Sequence, residues 1–477
     1  MAANLAVLAM ALLLVFEPQS RARRVVDASI VIVAIVARQG QSARQAIHGQ
    51  DVSRMSGRAF FGWKVTGGAF VLAVFGWGLG FYGPPVFLGI ISATRGWSPG
   101  LISAAITVHY LVGAAISAKL PRLHERLGAS RATQAGAVFL AVGVTGWSLA
   151  AEPWQLFPVA VISGAGWAAT SSAALNAIIA PWFVRARPTA LGMAYNGASV
   201  GGIVFSPLWV AATQGLGFPL AASAIGIATI ITIWIISAAW FSRTPEQMGL
   251  RPDGDAEGAP PAAVTSPRAV ALPGSLLWRD RTFLTLAAGM AFGLFAQLGL
   301  FTHIFSLLVP AMGAQQAGLA MSAATILALA GRMALGWIIQ RGGDRRLYAC
   351  VNYLIQFIGS LALLAAGGVD VALLLAGVLL FGLGVGNTTS LPPLIAQVEF
   401  VKAELLRVVA LIVAMAQAGY AFAPAVFGLI RELAPPAAGA PAGAAPWVFI
   451  AAASFQALAI AAMLIGRNAR APADAVR

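Results

Sequence analysis

Apolar stretches long enough to cross a bilayer, a distance of about 20 helical residues, recur along the chain from residue 60 onward. They lie near 63–91, 101–119, 133–151, 157–180, 189–212 and 217–240, then near 282–309, 317–339, 347–366, 371–396, 407–430 and 446–466. This pattern predicts an all-α membrane protein with twelve transmembrane helices in two sets of six. The polar gap between the sets, Phe241 to Arg281, carries Pro, Gly, Asp and Glu, as in Asp253-Gly254-Asp255-Ala256-Glu257-Gly258. It reads as a linker (241–281) between an N-terminal six-helix domain (55–240) and a C-terminal one with its tail (282–477).

Residues 1–54 fit this pattern poorly. Met1–Phe16 and Val25–Val36 are apolar runs separated by Arg21, Arg23 and Arg24, and neither has the length of a span. Two readings stand: an accessory re-entrant or interfacial segment, or an upstream extension with the natural start at Met55.

Composition agrees with a lipid solvent. The 477 residues are 59% hydrophobic and 10% charged, with a mean hydropathy of +0.83, more apolar surface than a water-soluble fold of this size can hide. Glycine is abundant, with 52 copies, as suits helices that approach closely inside a bilayer. The single Cys350 excludes an intrachain disulfide and a thiolate metal site.

The net charge of +14 could suggest nucleic acid, but its distribution points elsewhere. With both ends of the twelve-helix unit in the cytoplasm, 21 of the 30 Lys and Arg fall in cytoplasmic segments and two, Arg95 and Arg431, in the opposite loops. The basic charge then faces an anionic leaflet, no nucleic-acid partner is needed, and the chain is expected in the inner (plasma) membrane.

One full charge lies deep within a span. Arg332 is nine residues inward of Arg341, roughly 13 Å along a helix, and no Asp or Glu occupies a span interior. Charges there are costly and mark functional sites. An unpaired, forked cation invites the carboxylate of an organic anion; the alternative is that it snorkels or bonds helix carbonyls. His109 and His303 also lie in spans and could carry a coupling proton, or serve as neutral links between helices. Asn176, Asn196, Gln297, Asn387, Gln417 and Tyr420 could line a cavity or join helices. Tyr82 precedes Gly83-Pro84-Pro85, which should bend the first span and aim its ring inward.

Two connections echo each other. Pro121-Arg122-Leu123-His124-Glu125-Arg126-Leu127-Gly128-Ala129-Ser130-Arg131 follows the second span, and Gly336-Trp337-Ile338-Ile339-Gln340-Arg341-Gly342-Gly343-Asp344-Arg345-Arg346 the eighth. Both resemble the G-x-x-x-D-R-x-G-x-R-R loop of the major facilitator superfamily, with Pro121, Glu125 and Gln340 as departures. The resemblance implies the major facilitator fold, two pseudo-symmetric six-helix domains, and gating roles for Glu125, Arg126, Gln340, Arg341 and Arg345. Pro181-Trp182-Phe183-Val184-Arg185-Ala186-Arg187-Pro188-Thr189-Ala190-Leu191-Gly192 with Asn196-Gly197-Ala198-Ser199-Val200-Gly201-Gly202 is similar to a signature of the monocarboxylate porters and the oxalate:formate antiporter branch. So are Arg243–Gly254 and Gly331-Arg332-Met333-Ala334-Leu335-Gly336.

Residue by residue, the glycines of that signature form a packing face. Arg185 and Arg187 can bind carbonyls, lipid phosphates or a carboxylate such as Glu399. Oxalate-type carriers pair the span-eight arginine with a lysine in span eleven, which here offers Gln417 and Tyr420. Monocarboxylate porters carry an acid one turn before it, where this chain has Ala328. A monocarboxylate is thus favoured over a dicarboxylate.

No P-loop or clustered catalytic constellation is present. The expectation is a secondary carrier, symporter or antiporter, acting as a monomer without cofactor or metal and working by alternating access. Substrate contacts would come from Arg332, Tyr82, Asn176, Asn387, Gln417 and Tyr420. The alternatives are an efflux carrier for a largely apolar compound and a non-transporting membrane sensor.

Overall fold

A computed structural model describes residues 60–254, 277–340, 343–400 and 402–468. Residues 1–54, the middle of the expected linker, Arg341 and the side chain of Gln340 lie outside the described residues. Among the described residues the chain is all-helical, with twelve helical stretches long and apolar enough to cross a membrane.

In the first half the helices are α1 (Phe61–Gly80), α2 (Gly83–Arg95), α3 (Pro99–Ser117), α4 (Leu120–Leu149), α5 (Leu156–Ala168), α6 (Ser172–Ile179), α7 (Arg187–Leu216) and α8 (Phe218–Ile236). The second half contains α9 (Arg281–Met312), α10 (Ala314–Gln340), α11 (Arg345–Ala365), α12 (Val371–Thr388), α13 (Leu391–Glu399), α14 (Lys402–Tyr420), α15 (Ala423–Leu433) and α16 (Pro446–Asn468).

Local sequence explains the ends. Ser98, Asp280, Asp344 and Asp370 each accept a backbone N–H from the first turn of the helix that follows. Pro occupies the first turn of α3, α4, α7 and α8, where its missing N–H costs nothing. Gly217, at φ 79°, ends α7 and starts α8 as a single-residue turn that other residues would adopt under strain.

Four spans are interrupted. The first breaks at Phe81 and Tyr82, just before Gly83-Pro84-Pro85, into α1 and α2. The fourth parts into α5 and α6 and the eleventh into α14 and α15, while α12 is followed after Thr389 and Ser390 by α13. The breaks in the fourth span and after α12 fall at matching places, Thr170-Ser171-Ser172 and Thr388-Thr389-Ser390.

The connection expected as a loop after the second span is helical. Pro121–Arg131 belongs to α4, interrupted at Gly128 (φ 79°, ψ 155°), because Gly alone takes that conformation without strain.

Within each half, α1 packs along α7, α4 along α5, α9 along α16 and α11 along α12. Across the halves, α2 meets α9, α3 meets α15 and α7 meets α10. The joining residues lie away from the basic helix ends: Gly89 with Phe305, Gly428 with Ser103, and Gly318 with Ser206 and Pro207. Toward the basic face α10 keeps Leu335 and Ile339 packed in its own half, while Met333, Ala334, Gly336 and Trp337 are exposed. The cleft between the halves therefore opens at the basic face.

Candidate functional site

Arg332 sits on α10, half-buried, and its Nε donates to the Gly386 carbonyl of α12 at 3.0 Å. That reach depends on Gly386, whose Cβ would fall 2.3 Å from the Ala328 carbonyl and push the two helices apart. The two terminal nitrogens of the guanidinium have no hydrogen-bond partner among the described residues, so the fork keeps its outer donors for another acceptor.

Two turns before Arg332, on the same helix face, Thr325 donates to the Met321 carbonyl at 2.9 Å and lies beside Tyr82 across the interface between the halves, and Tyr82 lies within electrostatic reach of Arg332. The break in the first span places Tyr82 there. Its ring passes over Gly202 of α7, where a Cβ would stand 2.2 Å from the ring. Phe301 of α9 stacks on Phe81 at 5.1 Å and meets Tyr82 edge-on at 5.5 Å. Tyr110 of α3 lies near both Tyr82 and Tyr420. One arginine, three tyrosines and a threonine from four spans thus gather where the cleft ends, against an aromatic ceiling.

The other expected contacts divide. Asn176 is half-buried on α6 and donates to the Tyr195 hydroxyl at 2.6 Å and to the Ser172 carbonyl at 2.9 Å. Gln417 is half-buried on α14, three residues before Tyr420, with no side-chain hydrogen bond among the described residues. Asn387 is buried in the packing of α11 and α12, where its amide donates to Asn352 at 3.1 Å. It joins helices, beside a second bridge from Gln356 to Thr388 at 3.3 Å.

The two histidines differ. His109 is buried with both ring nitrogens engaged, Nδ1 with the Ser163 hydroxyl at 2.8 Å and Nε2 with the Gly80 carbonyl at 3.1 Å. These partners suit a neutral ring that donates from Nε2 and accepts at Nδ1. His303 places Nε2 3.4 Å from Ser103 Oγ of the first half and 3.3 Å from the Pro424 carbonyl, while its buried Nδ1 has no partner.

At the basic face Glu125 and Arg126 are exposed. Arg345 Nη1 donates to the Leu394 carbonyl of α13, and Asp344 pairs with Arg467 of α16. Arg346 is the more engaged neighbour. Its buried guanidinium meets Glu399 at 2.7 and 2.8 Å and also reaches the Thr282 carbonyl and the Thr285 hydroxyl. Glu399 is thus engaged by Arg346. Arg185 lies 3.9 Å from Asp253, whose carboxylate also accepts the N–H groups of Val184, Arg185 and Ala186.

Sequence reasoning missed Thr325, Tyr110, Phe301, Tyr195 and Arg346. Thr325 had one legible signal, its spacing of seven from Arg332. The other four depend on tertiary placement.

Comparison with known proteins bears on the whole fold. Residues 68–424 match the family model of the Major Facilitator Superfamily. The chain is 25% identical over 377 residues to MFS-type transporter 1 of Ophiocordyceps sp., covering 75% of this chain and 76% of that protein. It is 28% identical over 198 residues to the MFS transporter asaE of Aspergillus flavus, a match spanning 41% of this chain and 40% of that one. The crystal structure of the nucleoside transporter NupG superposes with a TM-score of 0.63 at 15% identity, covering 85% of this chain and 99% of that one. A bacterial homolog of the human lysosomal transporter Spinster, in an inward-facing and occupied conformation, gives 0.60 at 15% identity, covering 87% and 96%.

Proposed function

The chain belongs to the major facilitator superfamily, and from that premise we propose that it carries a small organic anion, a monocarboxylate above all, across the inner membrane by alternating access. The observation that carries this reading is the Arg332 guanidinium. It is fixed through Nε to Gly386, keeps its outer donors without a partner among the described residues, and lies beside Tyr82 at the closed end of the cleft. A carboxylate seated there takes a forked pair of charge-assisted hydrogen bonds and could add a tyrosine hydroxyl. The aromatic ceiling of Phe81 and Phe301 suits a short apolar remainder. One carboxylate is enough, since among the described residues the eleventh span offers Gln417 and Tyr420 near the site rather than a second cation.

The 21-to-2 division of Lys and Arg makes the basic face cytoplasmic, so the cleft described above opens inward. If protons are the coupling ion, His303 is the first candidate, because its Nδ1 is free and it bridges the two halves.

The test is uptake of labelled short monocarboxylates into proteoliposomes. Arg332→Lys keeps the charge and loses the fork, so uptake should fall at least about tenfold with membrane yield unchanged. Normal uptake by that variant would overturn the assignment. A second reading, efflux of a largely apolar compound, draws on the aromatic walls, where Trp77 meets Trp167 at 5.0 Å and Tyr195 at 6.4 Å. Under that reading Arg332→Lys leaves efflux of an apolar dye intact, and the dye's movement depends on an imposed pH gradient.

A further inference from the structure

We propose that a second cavity, inside the first half and away from the cleft, is a phosphate-anion site that takes the headgroup of an anionic phospholipid at the basic face. The cavity, of about 510 Å³, lies among α1, α4 and α6 near the basic face, the turn that follows α8 and the first residues of the linker. Its wall contains two arginines, Arg131 and Arg243, and no carboxylate. Neither guanidinium has a hydrogen-bond or ion-pair partner among the described residues, and both are exposed. Two like charges facing one cavity repel each other and are stabilised by an anion between them.

The rest of the wall has the two-part chemistry of a lipid. Around the arginines stand Thr244 and Gln247, which brace each other at the start of the linker: Thr244 N–H donates to Gln247 Oε1 at 3.1 Å and Gln247 N–H to Thr244 Oγ1 at 3.4 Å. The interruption at Gly128 starts a fresh helical segment, so Ala129–Arg131 present the positive end of a helix to the same space. Trp182 and Phe241, also in the wall, supply apolar surface that suits acyl carbons or a glycerol backbone. A free phosphate would use the first part of this wall, and a phospholipid both.

The purified full chain in detergent is titrated with phosphatidylglycerol, with phosphatidylcholine and with inorganic phosphate, bound species being counted by native mass spectrometry. Wild type should retain phosphatidylglycerol in preference to phosphatidylcholine. Arg131→Gln/Arg243→Gln should bind it roughly tenfold or more weakly, the scale of a lost charge-assisted hydrogen bond. Arg279→Gln/Arg281→Gln, the same charge change on the same face of the other half, should bind as wild type does. Displacement of the lipid by millimolar inorganic phosphate would assign the site to free phosphate; resistance to it, to the lipid headgroup. Equal retention of the two lipids, or equal loss in both double variants, would overturn the proposal. A melting temperature unchanged without lipid, together with binding recovered in Arg131→Lys/Arg243→Lys, separates loss of the site from loss of the fold.

Discussion

Two arginines fourteen positions apart in sequence meet opposite fates, and the difference is one of partners. Arg332 spends one donor on a carbonyl and keeps the rest, whereas Arg346 is 2% exposed and fully engaged by Glu399, Thr282 and Thr285. Removing one member of a buried, well-bonded pair leaves an uncompensated charge and typically costs about 3–5 kcal/mol. Arg346→Ala should therefore lower the melting temperature and membrane yield sharply. Arg346→Leu/Glu399→Leu should lose less than the sum of the two single changes, because neither charge is stranded. Thermal unfolding of the four proteins in one detergent checks the cycle. Arg332 was legible in the sequence because a cation nine residues deep in an apolar span stands out by itself. Arg346 was not, because it sits where basic residues are expected in any short connection, and its partner is 53 residues away. The same limit explains Arg185: a carboxylate was foreseen for it, but Asp253 is brought there by the fold of the linker's first residues.

Helices carry a different kind of information, and the glycines of α7 show how much of it a sequence holds. Their near four-residue spacing marks a packing face, and the structure seats Gly197 and Gly201 on the backbone of α1. A Cβ at those positions would come within 2.2 Å of the Phe70 carbonyl and 2.5 Å of the Val74 carbonyl. Gly192, of the same pattern, meets nothing within 4 Å. Backbone cannot move aside as a side chain can, so Gly197→Ala should destabilise by about 1–3 kcal/mol. Gly192→Ala should be neutral or stabilise by up to roughly 1 kcal/mol through helix propensity. Melting temperatures of the two variants, measured side by side, decide whether the spacing alone or the contact matters.

At the start of α11, Asp344 caps the Arg346 and Leu347 N–H groups and pairs with Arg467. Partial burial alone would raise its pKa, but these bonds outweigh it and hold the carboxyl below its ordinary value. A group depressed in the folded state stabilises above its unfolded value and loses that contribution as pH falls through the folded one. The melting-temperature gap between wild type and Asp344→Asn should thus be open at pH 7 and close below about pH 4. Hydropathy located all twelve spans and most of their ends to within a few residues, since length and apolarity are local properties. It placed the start of the third span late, because the polar turn before Gly128 is helical yet carries His124, Glu125 and Arg126.

At the scale of the whole molecule, the closed end of the cleft is held by each half capping a helix of the other. Gly100 and Ala425 lie in the first turns of α3 and α15, where backbone N–H groups have no partner within their own helix. Glu432 of the second half accepts the Gly100 N–H at 3.1 Å, and Thr107 of the first half accepts the Ala425 N–H at 3.0 Å. Gly100 is the residue that lets Glu432 in, since a Cβ there would stand 2.4 Å from its carboxyl carbon. When the halves part on this side, both N–H groups must find water or remain unpaired, so the caps bias the molecule toward the state open at the basic face. They do so without contributing to the packing of either half alone. Glu432→Ala and Thr107→Val should therefore leave the melting temperature nearly unchanged while shifting the balance of states several-fold toward opening at the far face, with the double variant shifting further. Spin labels at positions 98 and 433, in a Cys350→Ala background, read that balance directly as the ratio of a short to a long distance. If the ratio is the same in wild type and double variant, the caps are incidental to the closed state, and the packing of α2 on α9 and of α3 on α15 must hold it by itself.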